Sequence, residues 1–341
     1  MREALYYEKK DQNVTACVLC PHFCKIKEGK AGICRFRQNR GGVLYATNYG
    51  RVASFGLDPI EKKPLFHFHP GSYIFSAGTL GCNFRCQFCQ NWQISQDETP
   101  TTDITPAGMV EMARDYVSMG YPNIGIAYTY NEPFMWYEFM LDTAKLVREA
   151  EMKNVIVTNG YINEAPLREI LPFIDAMNID VKSFSEDYYK KICTGSLQPV
   201  LRTVEIARRE CHVELTTLLV TGLNDSAEEI EKLTDWIASL DRDIPLHFSR
   251  YFPMYKMDLP ATPLETLEQA REIAMKKLNY VYIGNAQLPG TDDTRCPKCG
   301  SEVISRIGYS ARGVGLADRN CSKCGEEIKF VQGVCGIFGH G

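Results

Sequence analysis

Cys82-Asn83-Phe84-Arg85-Cys86-Gln87-Phe88-Cys89 is the stretch from which the fold of this 341-residue chain can be read. It follows Tyr73-Ile74-Phe75-Ser76-Ala77-Gly78-Thr79-Leu80, an apolar run that reads as a buried strand. Three cysteines at C-x3-C-x2-C supply three thiolates where a four-iron cluster takes four. One iron is then left open to another ligand. A zinc site would want a fourth donor close by, and neither Gln90 nor Asn91 is one. The bland alternative is a fragment of a structural metal knuckle. The strand before the loop and the polar residues after it weigh against that.

Outward from the octet, strand-like and helix-like patterns alternate. Thr105 caps a helix with Pro106 at its first position; Val110, Ala113 and Val117 are helix-spaced, and Gly120 ends it. Strands are expected at 124–130, 155–158, 176–181, 213–220 and 245–252. Helical patterns cover 134–152, 164–171, parts of 187–209, and 264–278. Ser226-Ala227-Glu228-Glu229 is a capping box opening another helix, whose Ile230, Leu233, Ile237 and Leu240 share one face. A short run follows at 280–284. Six βα units imply a parallel sheet. The expected fold class is α/β, a partial (β/α)6 TIM-type barrel with small N-terminal and C-terminal metal-binding appendages. The expected division is 1–70 for a Cys-rich extension with a hairpin over 42–57, 71–288 for the barrel, and 289–341 for a ribbon-like tail.

A parallel barrel carries its chemistry where its strands end. Cys82 follows the first strand, Tyr130-Asn131-Glu132 the second, Thr158-Asn159-Gly160 the third and Asp180-Val181-Lys182 the fourth. Singly each is an ordinary cap or turn, and Glu132-Pro133 can simply start a helix. Together they bring carboxylates, an amide and an ammonium to one mouth, fit to grip a zwitterionic amino acid, a ribose and a sulfonium. In the turn-rich segment 58–70, His67 and Glu61 are weaker candidates for the rim, and His69 is expected to touch solvent.

Composition narrows the classes further. The 38 basic and 42 acidic residues form neither a nucleic-acid stripe nor an acidic tail. A basic cluster from Lys25 to Arg40 reads as a solvated face. The first ten residues are too polar for a signal peptide and no run approaches a membrane span, so a cytoplasmic protein is expected. Fourteen cysteines in a reducing compartment argue for metals over disulfides. Cys17, Cys20, Cys24 and Cys34 are expected to hold zinc. A second iron–sulfur cluster is the rival there, because Cys17-x2-Cys20-x3-Cys24 has cluster-like spacing, and His22 can replace one ligand. Cys296-x2-Cys299 and Cys321-x2-Cys324, each followed by glycine, read as a zinc ribbon, although a rubredoxin-like iron site uses the same four thiolates. Cys193 and Cys211 read as buried thiols, and the tail around Cys335 as loosely held.

Residues 82–91, with Thr158-Asn159-Gly160 and Asp180-Val181-Lys182, resemble radical S-adenosylmethionine (SAM) proteins of the pyruvate formate-lyase-activating type. The segments 17–21, 58–65, 89–95, 130–133 and 282–285 are similar to those of one branch, the radical enzymes of the AmmeMemoRadiSam system. The resemblance spans roughly residues 17–330. It implies a [4Fe-4S] cluster on Cys82, Cys86 and Cys89, with SAM at the open iron. It assigns Glu132 to the methionine amino group, Asp180 and Lys182 to the cofactor, Phe88 to the adenine, and Thr158 and Asn159 to the same set. It also implies a flavodoxin- or ferredoxin-type electron donor, and Memo-family and AMMECR-domain proteins as partners. Two positions depart from activating enzymes: Val157 stands where they carry Asp, and Tyr255 where they often carry His. Tyr255 and His67 are the candidates for a catalytic side chain. The leading reading is a radical enzyme acting on an unidentified substrate. A glycyl-radical activase is the near alternative, and a metal-scaffolded adaptor or electron carrier the distant one.

Overall fold

The computed structural model describes residues 1–331. Its centre is an eight-stranded sheet. The strands in chain order are β1 Ser54–Pro59, β2 Tyr73–Gly78, β3 Asn123–Tyr128, β4 Lys153–Thr158, β5 Ala176–Asp180, β6 His212–Leu219, β7 Leu246–Arg250 and β8 Val281–Gly284. Each lies beside its neighbour in sequence, and the two end strands are not paired with each other. All pairings from β2 to β8 are parallel; β1 runs antiparallel to β2. Both faces of the sheet are buried, so Ile126, Ala127, Val155, Ile156, Ala176, Met177 and Leu246 all lie out of solvent along near-continuous apolar strands.

The sheet has two more strands than the six units expected. The run at 280–284 pairs with β7 as a full member, Leu246 opposite Val281. Residues 54–59 join the other edge, where Pro59, unable to donate to a ladder, sits at the strand's end. The hairpin expected over 42–57 does not form. Val43–Ala46 instead pairs with Arg37–Arg40 and Arg2–Glu3, while Arg51–Val52 pairs with Thr102–Asp103. Short strands take partners from tertiary context, which local alternation does not encode.

Caps behave as the sequence suggests, with one exception. Thr105 Oγ1 accepts from Gly108 N at 3.0 Å, and Pro106 opens the helix Pro106–Ser118; Val117, expected on its apolar face, is exposed. Ser226 Oγ accepts from Glu229 N at 3.3 Å. The reciprocal half of that box is missing, because the Glu229 carboxylate accepts from Ser183 Oγ and, at 2.7 Å, from Phe184 N. The helical pattern over 134–152 splits into a tight turn, Pro133–Trp136, and the helix Tyr137–Glu149.

The tail seals the edge where the strands begin. His67 Nδ1 donates to Lys329 O at 2.7 Å, and Tyr282 OH lies 2.6 Å from His67 Nε2. Arg306, buried over the Phe66 ring, donates to Thr294 Oγ1 at 2.8 Å and Phe66 O at 2.8 Å. The buried Glu214 carboxylate collects Phe66 N, His67 N, His212 and His247 within 3.0 Å. His69 does not touch solvent as expected: it is buried, its ring packed edge-on against Phe68 with centroids 4.6 Å apart, and its backbone N donates to Val331 O at 2.8 Å. The expectation for the segment around Cys335 lies outside the described residues.

Candidate active site

Residues 82–89 turn over the C-terminal edge of β2. Asn131 Nδ2 donates to Gly81 O at 2.7 Å, and Asn131 Oδ1 accepts from Thr79 N at 3.2 Å. Asn83 is fully buried; its Nδ2 donates to Tyr161 O at 2.7 Å and its Oδ1 accepts from Asn159 Nδ2 at 2.9 Å. Arg85 N donates to Cys193 O at 2.8 Å and Gln87 N to Ile192 O at 3.2 Å. Gly195 lets the Phe84 ring approach, since a Cβ there would stand 2.3 Å from Phe84 Cε1. The cysteine loop is thus fixed from three sides before any metal is considered.

Cys82, Cys86 and Cys89 line one cavity of about 240 Å³. Phe88, Glu132, Asn159, Asp180 and Lys182 line it with them. The sequence reading therefore assembles at one place, with Thr158 behind it as a support. Thr158 Oγ1 donates to Glu132 Oε1 at 2.7 Å, and Asn159 N donates to Glu132 Oε2 at 2.8 Å. Glu132 also accepts from Phe134 N at 3.1 Å, so it caps the next turn as well as facing the cavity. Burial outweighs these donors and raises its pKa to about 7. Lys182 Nζ lies 2.7 Å from Asp180 Oδ2. Burial alone would lower the pKa of Lys182, but the Asp180 charge raises it above the ordinary lysine value.

The donor set fits an iron–sulfur cluster with an exchangeable position. Phe84 N donates to Cys82 Sγ at 3.3 Å, and Asn159 Nδ2 lies 3.7 Å from the same sulfur. Burial raises the pKa of Cys82 and Cys89, and the neighbouring Cys193 thiol followed by burial raises that of Cys86. Metal binding at these sites therefore releases protons. Cys193, expected as an isolated buried thiol, packs against the cluster triplet.

Other candidates lie elsewhere. His67, buried with its pKa lowered to about 4 by desolvation, and Glu61, which accepts from Gly71 N at 2.8 Å, sit at the edge where the strands begin and do not line the cavity. Tyr255 stacks on Trp92, ring centroids 5.4 Å apart, outside the cavity lining. Thr216, Leu218 and Ser249 line it from β6 and β7, and sequence reading missed them. The available signal was the two-residue spacing of Thr216 and Leu218 near a strand's C-terminal end, where one face turns inward.

In the tail, the sulfur atoms of Cys296, Cys299, Cys321 and Cys324 all lie within 4.8 Å of one another, a group able to hold a metal ion. Cys17, Cys20 and Cys34 are buried and Cys24 is half-buried beside the cluster loop, with His22 Nε2 donating to Asn83 O at 2.8 Å.

The model of the radical SAM superfamily matches residues 77–237, and the chain belongs to that superfamily. Its relatives include proteins of the activating-enzyme type. It is 26% identical over 237 residues to a pyruvate formate-lyase-activating enzyme of Staphylococcus epidermidis, covering 62% of this chain and 90% of that one. It is 48% identical over 323 residues to an uncharacterized protein of Methanocaldococcus jannaschii, covering 93% of this chain and 95% of the relative. In fold it is similar to a radical SAM methyltransferase from Sphaerobacter thermophilus, with a TM-score of 0.51 at 17% identity over 63% of this chain and 67% of that one. Among the described residues no helix is long and apolar enough to cross a membrane.

Proposed function

We propose that this chain is a radical enzyme in which Cys82, Cys86 and Cys89 hold a [4Fe-4S] cluster and the residues around the cavity hold SAM. The observation that carries the reading is the convergence of three cysteines, Glu132, Asn159, Asp180 and Lys182 on one cavity at the C-terminal strand edge. When bound, the cluster and SAM together supply one-electron chemistry that yields methionine and a 5′-deoxyadenosyl radical able to take hydrogen from a substrate. The protein binds, orients and shields. Glu132 is positioned to accept from the methionine amino group, and the Asp180–Lys182 pair offers an acceptor and a cation to the remaining polar groups. Thr158 and Asn159 fix the Glu132 carboxylate, and Phe88 supplies an apolar wall. Thr216 and Ser249 provide hydroxyls on the far side, where a substrate would meet the cavity.

A glycyl-radical activase is the second reading, supported by relatives named as activating enzymes. Val157 and Tyr255 depart from that pattern and favour a different substrate. The branch resemblance suggests a cytoplasmic enzyme served by a flavodoxin- or ferredoxin-type donor, working with Memo-family and AMMECR-domain proteins. The tail quartet is proposed to hold zinc, which needs no redox partner and staples a small unit.

The test is anaerobic reconstitution. Protein with iron and sulfide should show a cluster signal that SAM perturbs, and reductant should release 5′-deoxyadenosine. Replacing Cys82, Cys86 and Cys89 together by Ala should abolish the SAM-sensitive signal and the release. Cofactor cleavage by that triple variant would refute the reading.

A further inference from the structure

The two terminal cysteine quartets have the same four donors but different geometry. In the tail, Cys296 Sγ and Cys324 Sγ are 3.5 Å apart and Cys299 Sγ and Cys321 Sγ 3.7 Å. Thiolates at about 2.3 Å around one zinc stand about 3.8 Å from each other, so the tail is already drawn to the size of a single ion. Among the described residues that tight packing is confined to the tail quartet. Cys17, Cys20, Cys24 and Cys34 are gathered more loosely, though Cys20 is within charge reach of the other three. The Cys82, Cys86 and Cys89 set shares this looser spacing. Loose convergence is what four cysteines around a cube of iron and sulfide require, because each binds a different iron.

The local chemistry differs in the same direction. Each tail knuckle closes with a glycine after its second cysteine, Gly300 N donating to Cys296 O at 2.9 Å and Gly325 N to Cys321 O at 2.8 Å. At the N-terminus Pro21 follows Cys20 and removes that donor, and the chain turns instead at Pro21-His22, Phe23 N donating to Cys20 O at 3.2 Å. Phe23 and Arg35, each beside a cysteine, hold left-handed backbone with φ of 46° and 73°, a conformation such side chains rarely adopt. Arg37 is fully buried within charge reach of Cys17 and Cys34. One of its guanidinium nitrogens pairs with Glu138 at 2.9 Å and another donates to Leu5 O, while Nε has no partner. A buried N–H left without a partner suits a nearby anionic group.

We propose that Cys17, Cys20, Cys24 and Cys34 hold a second [4Fe-4S] cluster, separated from the Cys82 loop by a single layer of backbone. Gly81, next to Cys82, touches the Cys34 segment so closely that a Cβ would lie 2.6 Å from Cys34 O. His22, between Cys20 and Cys24, donates to Asn83 O on the other side of Cys82. The zinc expected at this quartet gives way to its rival.

The deciding experiment uses the full chain with Cys82, Cys86 and Cys89 all replaced by Ala. After anaerobic reconstitution and desalting it should keep about four iron and four sulfide per chain, with a reduced-state EPR signal that SAM does not perturb. Adding Cys20→Ser and Cys24→Ser should remove that iron while leaving about one zinc in the tail. As a guard against misfolding of the triple variant, otherwise wild-type protein carrying only Cys20→Ser and Cys24→Ser should fall from about eight to about four iron. Retention of iron by the triple variant does not depend on radical chemistry at Cys82, so it separates this site from the function proposed above. An iron-free triple variant with about two zinc, one of them lost on Cys20→Ser and Cys24→Ser, would overturn the second cluster.

Discussion

Asn159 holds Asn83 across the ends of β2 and β4: Asn159 Nδ2 donates to Asn83 Oδ1 at 2.9 Å, and Asn83 is fully buried between the cysteine loop and Tyr161. This one amide ties the end of β4 to the residue following the first cluster cysteine. Asn159→Ala leaves the Asn83 carbonyl without its side-chain donor, which costs about 1–3 kcal/mol. Melting should fall by several degrees, and reconstituted protein should lose iron faster under air. Asn159→Asp should be no better, since it points an acceptor at an acceptor. Thermal melts and timed iron assays check both variants; an unchanged iron half-life would make the contact ornamental.

The cofactor grip can be separated from the cluster. Asp180→Ala and Glu132→Gln should each weaken SAM binding by roughly tenfold to a hundredfold, the range for losing a charge-assisted hydrogen bond of about 1.5–3 kcal/mol. Gln is chosen at position 132 because its amide oxygen can still cap Phe134 N. Iron content should not change in either variant. Anaerobic titration of SAM against the cluster absorption measures the affinity, and equal binding in both variants would return these residues to the role of helix caps.

At the opposite edge, His67 provides a pH-dependent clamp on the tail. Its pKa lies near 4 in the folded chain because burial disfavours the cation, against 6.5 when exposed. Between those values the unfolded chain binds more protons than the folded one, so stability falls as pH drops from about 6.5 towards 4. The full effect of such a shift is about 3 kcal/mol. His69, also lowered to about 4 by burial, adds to the same slope. His67→Gln can still donate to Lys329 O and accept from Tyr282 OH, but it does not titrate. Melting temperature plotted against pH over this window should be flatter for His67→Gln than for the parent.

How much of this was legible in the sequence follows from the range of the signals. Cys82, Glu132, Asn159, Asp180 and Lys182 were readable because strand periodicity fixes where each strand ends and parallel connections bring those ends together. β1 was not, because the weak alternation running to residue 57 suggested a local hairpin, whereas its ladder partner is β2, some twenty residues on. Asn83 was passed over because its side chain makes contacts to Tyr161 and Asn159, more than seventy residues away. His67 was misplaced for a related reason: a histidine between prolines looks like a rim residue until the backbone carbonyl of Lys329, 262 residues on, is seen to accept a hydrogen bond from its Nδ1. The fourfold cysteine sets were visible as sets, while the difference in their spacing was visible only in three dimensions.

A metal held by the tail quartet would be structural, and the placement of the quartet gives a direct check. Arg306, Thr294 and Lys329 all dock on residues at the edge where the strands begin, through Phe66, Tyr282 and His67. The cluster cysteines and the cavity lie where the strands end. A strand of five to eight residues separates the two edges by about 3.3 Å per residue, too far for the ribbon to close over the cavity. Cys299→Ser with Cys324→Ser should therefore release the tail metal and make the segment after residue 289 sensitive to protease. SAM cleavage per cluster should stay within about twofold of the parent, a difference of about 0.4 kcal/mol in barrier. Metal analysis, limited proteolysis and a single-turnover assay of 5′-deoxyadenosine report on the three parts separately. Loss of cleavage with the fold and cluster intact would show that the tail acts on the cavity through the Glu214 and Tyr282 network, and its role as a passive seal would have to be abandoned.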